Sequence, residues 1–474
     1  MIRIMLALSA LLLCTSLTGA ATPQVAILPP RVDLTHIESR QRLVFQETVD
    51  GQFRGEVREG VIWSSSNEAV VRVVDGVATP VADGKAVITG RQGDRMASCE
   101  VTVSGQQAEF TWSFRNHVES VLSKTGCNGG ACHGARAGKN GFRLTLFGFD
   151  LDADYTYLTR QANGRRIIPS DPGRSLLLLK PTGMIPHKGG IRFEPDSLEY
   201  RVLAEWIASG APPATSADRV IKSLEVLPRS SRQEPGAKQQ LIVLAHFSDG
   251  LVEDVTRWAK YTSVNSAVAT VSDRGELQIT GSGEGAIKVW YLNYNELAYI
   301  TVPYPSVQTA ESPRALPIKN FIDEHVAQKL RSVNLEPAPP ADDATFLRRV
   351  FLDTIGSLPS MEETTAFLSD PAPDKREKLV ESLLARPEFV DYWSYKWSDL
   401  LLLSGERLRP KAIETYYQWI RERVARNMPW DQFVREIITA TGSTHENGAA
   451  NFFALHQDPE GMAETTAQAF MGLS

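Results

Sequence analysis

The block Trp63-Ser64-Ser65-Ser66-Asn67-Glu68-Ala69-Val70 is echoed by Tyr261-Thr262-Ser263-Val264-Asn265-Ser266-Ala267-Val268. Each copy runs into a Val-rich segment, a glycine turn and a Gly-Ala step, near Gly84 to Ala86 and at Gly285-Ala286. Self-similarity of this kind reads as one structural unit used twice. Around the first copy, residues 23–105 fall into short β-forming runs at 24–28, 42–45, 70–74, 85–89 and 99–103, with Asp75-Gly76 and Asp83-Gly84 as turn dipeptides. Residues 220–305 repeat the pattern, with Ser248-Asp249-Gly250 and Asp254-Val255-Thr256 ahead of the aromatic. Each stretch has the length of a small β-sandwich. Cys99, on the last run of the first copy, reads as a small buried hydrophobe.

Between the copies, over residues 108–213, the apolar period changes from strand-like to helical. Phe114, Val118, Val121 and Leu122 share one helix face, and that helix leads into Cys127-Asn128-Gly129-Gly130-Ala131-Cys132-His133-Gly134. A second helix carries Leu198, Val202, Leu203 and Trp206 on its apolar face, with Asp196 and Glu199 as a capping box and Gly210 and Pro212 as its stop. Two cysteines with a histidine directly after the second are the parts of a covalent haem attachment site, although the usual spacer is two residues and this one has four. The thiols can add to the two haem vinyl groups, and the adjacent histidine is placed to ligate the iron. Gly129 and Gly130 are expected to let the longer spacer bend.

At 474 residues the chain is long enough for three or four domains. Its 50 Lys plus Arg against 56 Asp plus Glu leave it mildly acidic, which argues against nucleic acid as a partner. Arg3, an apolar run from Ile4 to Leu13 and the small residues Thr18-Gly19-Ala20-Ala21 have the order of a cleaved secretory signal over residues 1–21. The run is too short for a membrane span, so no span is expected after its removal. Cys14 belongs to that leader. Cys99, Cys127 and Cys132 remain, an odd number in a disulfide-permissive compartment, which argues against a disulfide framework.

Residues 316–474 read as helical and rich in tryptophan. Ile318, Phe321, Ile322, Val326 and Leu330 make one stripe, with Pro337 to Pro340 ending it, and Ser360/Glu363 and Asp374/Glu377 are capping boxes. Trp393, Trp397, Tyr416, Trp419, Trp430 and Phe433 are the bulky core candidates.

Three resemblances follow from these residues. The two β copies resemble bacterial immunoglobulin-like (BIG2) domains of the intimin and invasin type, which implies surface-presented spacer or adhesion modules. The middle segment resembles the planctomycete-type cytochrome c domain through the Cys127 to Gly134 motif, Gly138-Lys139-Asn140-Gly141-Phe142-Arg143-Leu144, Phe147-Gly148-Phe149-Asp150, Ser175-Leu176-Leu177-Leu178-Leu179-Lys180 and Pro186-His187-Lys188-Gly189-Gly190. That resemblance implies a small all-α fold and covalent haem c, and the four-residue spacer is known in that family. The C-terminal region resembles the N-terminal part of the helical domain of unknown function that accompanies such cytochromes, through Leu347-Arg348-Arg349, Asp353, Gly356-Ser357-Leu358-Pro359, Trp430-Asp431-Gln432-Phe433-Val434-Arg435-Glu436 and Thr466-Ala467-Gln468-Ala469-Phe470. A further Cys-x-x-Cys-His usually follows there. The chain stops at Ser474 in mid-pattern, so a truncated C-terminus is expected.

The expected arrangement is thus two all-β immunoglobulin-like sandwiches flanking a small all-α cytochrome c domain, followed by a mainly helical domain. Cys127 and Cys132 are the expected thioether anchors and His133 the proximal iron ligand. The resemblance favours His187 as distal ligand, with Met184 second. Arg165 and Arg166 are placed as an exposed basic pair with a weaker claim on the haem propionates, and His117 as a surface residue. Zinc is disfavoured because its sites pair two such clusters and only one exists here. His36, His246, His325, His445 and His456 show no metal spacing. No nucleophile elbow, phosphate loop or zincin helix occurs, and Asp353, Asp399, Asp431 and Glu436 read as caps or surface charges before they read as a catalytic set. The expected function is one-electron transfer with an unidentified redox partner, in the periplasm or outside the cell. The competing classes are a cell-surface binding or adhesion protein with a structural Cys pair, contacting a cell surface or polysaccharide through its sandwiches, and a haem-assisted enzyme acting on extracellular polymer.

Overall fold

The computed structural model describes residues 23–305, 316–456 and 458–473. The leader expected at residues 1–21, with Cys14, lies outside them. The chain divides into two compact units, residues 1–337 and 338–474.

In the first unit the duplication is visible down to its hydrogen bonds. Strand Ile62–Ser65 pairs with Gly84–Gln92, and Lys260–Ser263 pairs in the same antiparallel sense with Gly283–Tyr291. After each first strand comes the same turn. Asn67 Oδ1 accepts from Ala69 N at 3.1 Å, and Asn265 Oδ1 accepts from Ala267 N at 3.2 Å. Asparagine serves because its short side chain can mimic a backbone turn. Asp75 and Gly76 both take positive φ between Val71–Val74 and Val77–Pro80, as a tight hairpin requires.

The two sandwiches flank the middle segment in sequence but touch each other in space. A seven-stranded sheet runs Gln24–Leu28, Val44–Val49, Gln52–Glu56, Ser230–Arg232, Tyr294–Val302, Gly283–Tyr291, Lys260–Ser263, and the parallel pairing of Phe53 with Ser231 joins the halves. Leu28 and Val44 of the first copy bury themselves with Ile242 and Leu244 of the second. Arg58 bridges Glu56 and Glu276 at 3.0 Å each. A shared sheet and a shared apolar cluster hold the pair as one body.

The middle segment has no strand among the described residues, only one isolated bridge between Lys139 and Phe142. Phe114, Val118, Val121 and Leu122 are all buried, as their spacing predicts. The helix Leu198–Ala208 buries Val202, Leu203, Trp206 and Ile207. Its cap differs from expectation: Ser197, not Asp196, accepts from Tyr200 N, and Glu199 pairs with Lys124 at 3.1 Å. Ser197 is one residue closer to the first helical turn, where a short hydroxyl reaches the amide three residues on. The apolar side chains of this segment and those of the second sandwich form one continuous core. Tyr291 donates its hydroxyl to the Asn116 carbonyl at 2.9 Å, and Phe147 stacks on Trp290 at 5.1 Å. The first sandwich keeps a separate core around Phe45, Ile88 and Cys99. Burial pushes the Cys99 thiol up to about 12.

Helix Phe321–Ser332 departs from its expected role. Ile318, Phe321, Ile322 and Val326 are exposed, and the helix ends at Ser332, before Pro337, because Asn334 turns into the left-handed region. Asn320 and Asp323 close it with a capping box.

The second unit is helical throughout and contains two apolar clusters, one around Leu347, Phe351 and Phe367, the other around Tyr416, Trp419, Phe433 and Phe452. Ser360 and Glu363 form the expected capping box. Asp374 makes no cap bond and pairs with Lys378 at 3.0 Å, so that second box is a correction. Trp397 packs against the second cluster, whereas Trp393 and Trp430 are exposed.

Candidate functional site

The helix Glu119–Lys124 ends where Gly126 takes φ 77°, and the chain then winds into a compact knot. Cys127 N donates to the Leu122 carbonyl (2.8 Å), Cys132 N to Gly129 (2.9 Å), and His133 N to Cys127 (2.9 Å). Gly126 takes positive φ where Gly129 and Gly130 do not, and the Cys132 N to Gly129 carbonyl bond closes a turn over Gly130 and Ala131 within the spacer. A second glycine is needed at 134, where an added Cβ would stand 2.0 Å from the Asn128 carbonyl oxygen. Backbone approach that close is open only to glycine.

Within this knot Cys127 and Cys132 are half-buried free thiols, not a disulfide. Cys127 Sγ lies 3.3 Å from Thr125 Oγ1, and burial pushes its thiol up. Cys132 Sγ accepts from Arg192 Nη2 at 3.4 Å. His133 donates Nδ1–H to the Phe142 carbonyl at 3.0 Å, and its ring lies against that of Phe142 at 4.5 Å. The tautomer follows from the acceptor: a carbonyl cannot donate, so Nδ1 carries the proton and Nε2 is bare. Burial, above all, lowers the His133 pKa, which keeps the ring neutral.

His187 repeats the arrangement, with Nδ1 donating to the Gly190 carbonyl at 2.8 Å and Nε2 left over. Arg192, which contacts Cys132, lies with the His187 ring beside Gly189. The 183–192 loop thus stands over the Cys132–His133 side of the knot. Met184 is 69% exposed at its rim, as is Ile191 at 61%; Leu146, at 48%, sits beside Gly130.

These residues fit haem c on three counts. The thiols are free. A neutral histidine next to the second thiol offers Nε2, with its other nitrogen held by a carbonyl, the usual support of a metal-ligating imidazole. Leu146, Met184 and Ile191 supply exposed apolar side chains in this segment. Among the described residues no three His, Cys, Asp or Glu side chains are grouped as a metal site.

Two neighbouring residues differ from expectation. Arg165 is exposed, but Arg166 is buried, donating to the carbonyls of Tyr157 (2.7 Å), Gln161 (3.0 Å) and Gly141 (3.2 Å) and lying 4.4 Å over the Phe142 ring. Its donors are directed to backbone, so its role is to hold Phe142, and through Phe142 the His133 ring. His117 is not at the surface. It is packed against Phe110, Trp112 and Trp258, accepts from Ser113 N at 3.0 Å, and burial pushes it down to about 3. With His36, Glu253 and Arg257 it borders a cavity of about 20 Å³, room for a single water.

Residues 321–474 match the sequence profile of PSCyt2, described as a protein of unknown function (DUF1549). The match lies in the C-terminal region where a helical domain of unknown function was expected. The chain matches no curated protein. Among solved structures, the S-layer protein rSbsC is similar at 11% identity over 60% of this chain and 28% of its own, with a TM-score of 0.17. The Yersinia pseudotuberculosis adhesin InvE is similar at 9% identity over 61% of each chain, with a TM-score of 0.15. A SusE-like surface located polysaccharide binding protein from Bacteroides thetaiotaomicron is similar at 10% identity over 60% of this chain and 34% of its own, with a TM-score of 0.13. Nothing about what those proteins bind transfers at that level of likeness. No helix among the described residues is long and apolar enough to cross a membrane.

Arg192, and the contact of Arg166 with Phe142, were not anticipated from the sequence. Phe142 lies within the Gly138 to Leu144 motif and Arg192 two residues after Gly190, so the signal was adjacency to motifs already noted. Glu436 pairs with Arg423 at 3.0 Å along a broad groove of about 980 Å³.

Proposed function

We propose that this protein is an exported carrier of covalent haem c for one-electron transfer, with the Cys127–His133 knot held on a scaffold of two fused sandwiches. The observation that carries the reading is His133: its Nδ1 proton is bound by the Phe142 carbonyl and its Nε2 is bare, directly beside a free thiol. A bound haem would supply an iron that accepts and releases one electron at a potential set by its axial ligands.

In this reading Cys127 and Cys132 fix the group covalently, and His133 offers a neutral nitrogen at neutral pH. Arg166 keeps Phe142, and so the His133 ring, from turning. Arg192 steadies Cys132 from the opposite loop. His187 is preferred to Met184 as the second ligand, because its ring orientation is already set by Gly190 while Met184 extends into solvent. The site of action is the periplasm or the cell exterior, where thioether attachment and free one-electron partners coexist.

A second reading, a cell-surface binding or adhesion protein, has its own support in the continuous seven-stranded sheet, a stiff platform of the kind that presents contact loops. A haem stain on a denaturing gel separates the two. The mature chain, made in a host with c-type cytochrome maturation, is compared with the C127A/C132A double variant. Haem that travels with the wild type and is absent from the variant supports the carrier. A colourless wild-type band, beside a stained control cytochrome, leaves the surface-binding reading.

A further inference from the structure

Charge is unevenly distributed along the chain. As a whole it carries 50 Lys plus Arg against 56 Asp plus Glu, yet residues 133–192 carry ten Lys and Arg against four Asp and no Glu. Arg166 is turned inward onto carbonyls. Four of the others, Lys139, Lys180, Lys188 and Arg192, belong to the segments that carry His133 and His187. Lys139 N donates at 2.8 Å to the Phe142 carbonyl, the same oxygen that holds His133. Lys180 Nζ donates to the Pro186 carbonyl at 3.1 Å, next to His187, and Lys188 follows that histidine directly. Arg192 reaches Cys132 at 3.4 Å. Lys139 and Lys188 are exposed, and Lys180 and Arg192 half-buried. None of the four makes an ion pair among the described residues, whereas Arg58, Arg95, Arg201 and Arg219 of the same unit are all paired with carboxylates.

The same loop exposes apolar side chains. Met184 and Ile191 are both open to solvent, and Ile191 lies over Gly183, where an added Cβ would stand 2.9 Å from its Cγ1. An exposed apolar pair rimmed by unpaired cations has the make-up of a protein docking face. We propose that the 183–192 loop and Lys139 form a docking face for an acidic protein, with Met184 and Ile191 as its apolar centre and Lys139, Lys180, Lys188 and Arg192 as its charged rim. Cations crowded without counter-charges repel one another and lower stability. A carboxylate-bearing partner relieves that repulsion and is steered in by the same field. An acidic polysaccharide would use the cations and leave Met184 and Ile191 in water, whereas a folded protein covers both. In the haem-carrier reading, on which this clause alone rests, the docked protein is the electron donor or acceptor. The face itself belongs to the polypeptide and is present with or without haem.

The test uses the mature full chain, with haem and without, and a fluorescently labelled plant-type ferredoxin as a folded acidic probe. Affinity is read by anisotropy at about 20 mM and about 200 mM salt. The expected result is binding at low salt that weakens at least about ten-fold at high salt, and at least about ten-fold in the double variant Lys139→Glu, Lys188→Glu. Met184→Ser should weaken binding and leave its salt dependence unchanged. A control pair, Lys222→Glu with Lys238→Glu, reverses two exposed lysines of the second sandwich and should leave the affinity as it was. No binding of the probe by the wild type at low salt overturns the proposal, and that result does not depend on any variant folding. So does equal weakening by the control pair, which marks non-specific attraction, or tighter binding of polygalacturonate than of the probe at equal carboxylate concentration, which marks a polysaccharide face. Because haem staining is read separately, either idea can fail alone.

Discussion

The two sandwiches began as the same design and have been put to different use. The first seals its own interior around Phe45, Ile88 and Cys99. The second leaves its interior open toward the middle segment and shares one core with it, from Val289 and Ile300 through to Phe114 and Trp206. The middle segment buries Phe114, Leu158, Leu203 and Trp206 of its own and continues that core into the second sandwich. By borrowing a sandwich as its other wall, it gains a core large enough to hold the knot in one conformation. The lesson is that the Cys/His site is a property of the second copy and the segment together, while the first copy acts as a brace.

The largest test of that difference is truncation in each core. Trp206→Ala should cost about 3–5 kcal/mol in denaturant unfolding, and it should also raise the reaction rate of Cys127 with a thiol reagent in the native protein. Phe45→Ala should cost a similar amount and leave the Cys127 rate unchanged. Equal acceleration by both would erase the distinction between brace and wall.

Next in size is the junction where all three parts meet. Burial works to raise the Glu253 carboxyl, yet the hydrogen bond from His36 and the charge of Arg219, with smaller help from His117, hold it down to about 2. A depressed carboxyl stabilises the fold above its unfolded value of 4.5, and the contribution is lost as pH falls from there toward about 2. It amounts to on the order of 3 kcal/mol. Unfolding free energy measured between pH 6 and pH 2 should fall more steeply for the wild type than for Glu253→Gln. Parallel curves would mean that the junction does not bind the copies together.

The knot gives a smaller effect with no counterpart in the first copy. Gly134→Ala places a methyl 2.0 Å from the Asn128 oxygen and should destabilise by about 1–3 kcal/mol, with lowered haem incorporation in a maturation-competent host. Unchanged incorporation would show that the close turn is not needed for attachment. Smallest are the paired turns: Asn67→Ala should cost about 1 kcal/mol and Asn265→Ala more, because both side chains accept the same turn hydrogen bond but Asn265 also donates Nδ2 to the Glu284 carbonyl at 3.1 Å. No loss at either position would weaken the case that the copies share this turn.

How much of this was legible in the sequence follows the range of the interactions. The repeat, the Asp75-Gly76 hairpin, the buried face of Phe114, Val118, Val121 and Leu122, and the Ser360/Glu363 box are local patterns, and all were readable. Features set by distant neighbours were not. His117 looks solvent-facing by helical period, but Trp258 of the other sandwich covers it. Arg166 looks like half of an exposed pair until its carbonyl partners are seen. The apolar stripe of helix Phe321–Ser332 has the right spacing for a core and is exposed, since spacing defines a face without supplying what covers it. At the candidate site, Cys127, Cys132 and His133 are proposed from motif chemistry and His187 from the resemblance. The fused sheet and Arg192 could not, because their partners lie far off in the chain.

The most direct measurement is the intact mass of the mature full-length protein from a maturation-competent host, beside the C127A/C132A variant. The account predicts a wild-type mass increased by one haem, retained under denaturing conditions, with both thiols unreactive to alkylation. A wild-type mass equal to that of the polypeptide alone, with Cys127 and Cys132 both alkylated, would contradict it.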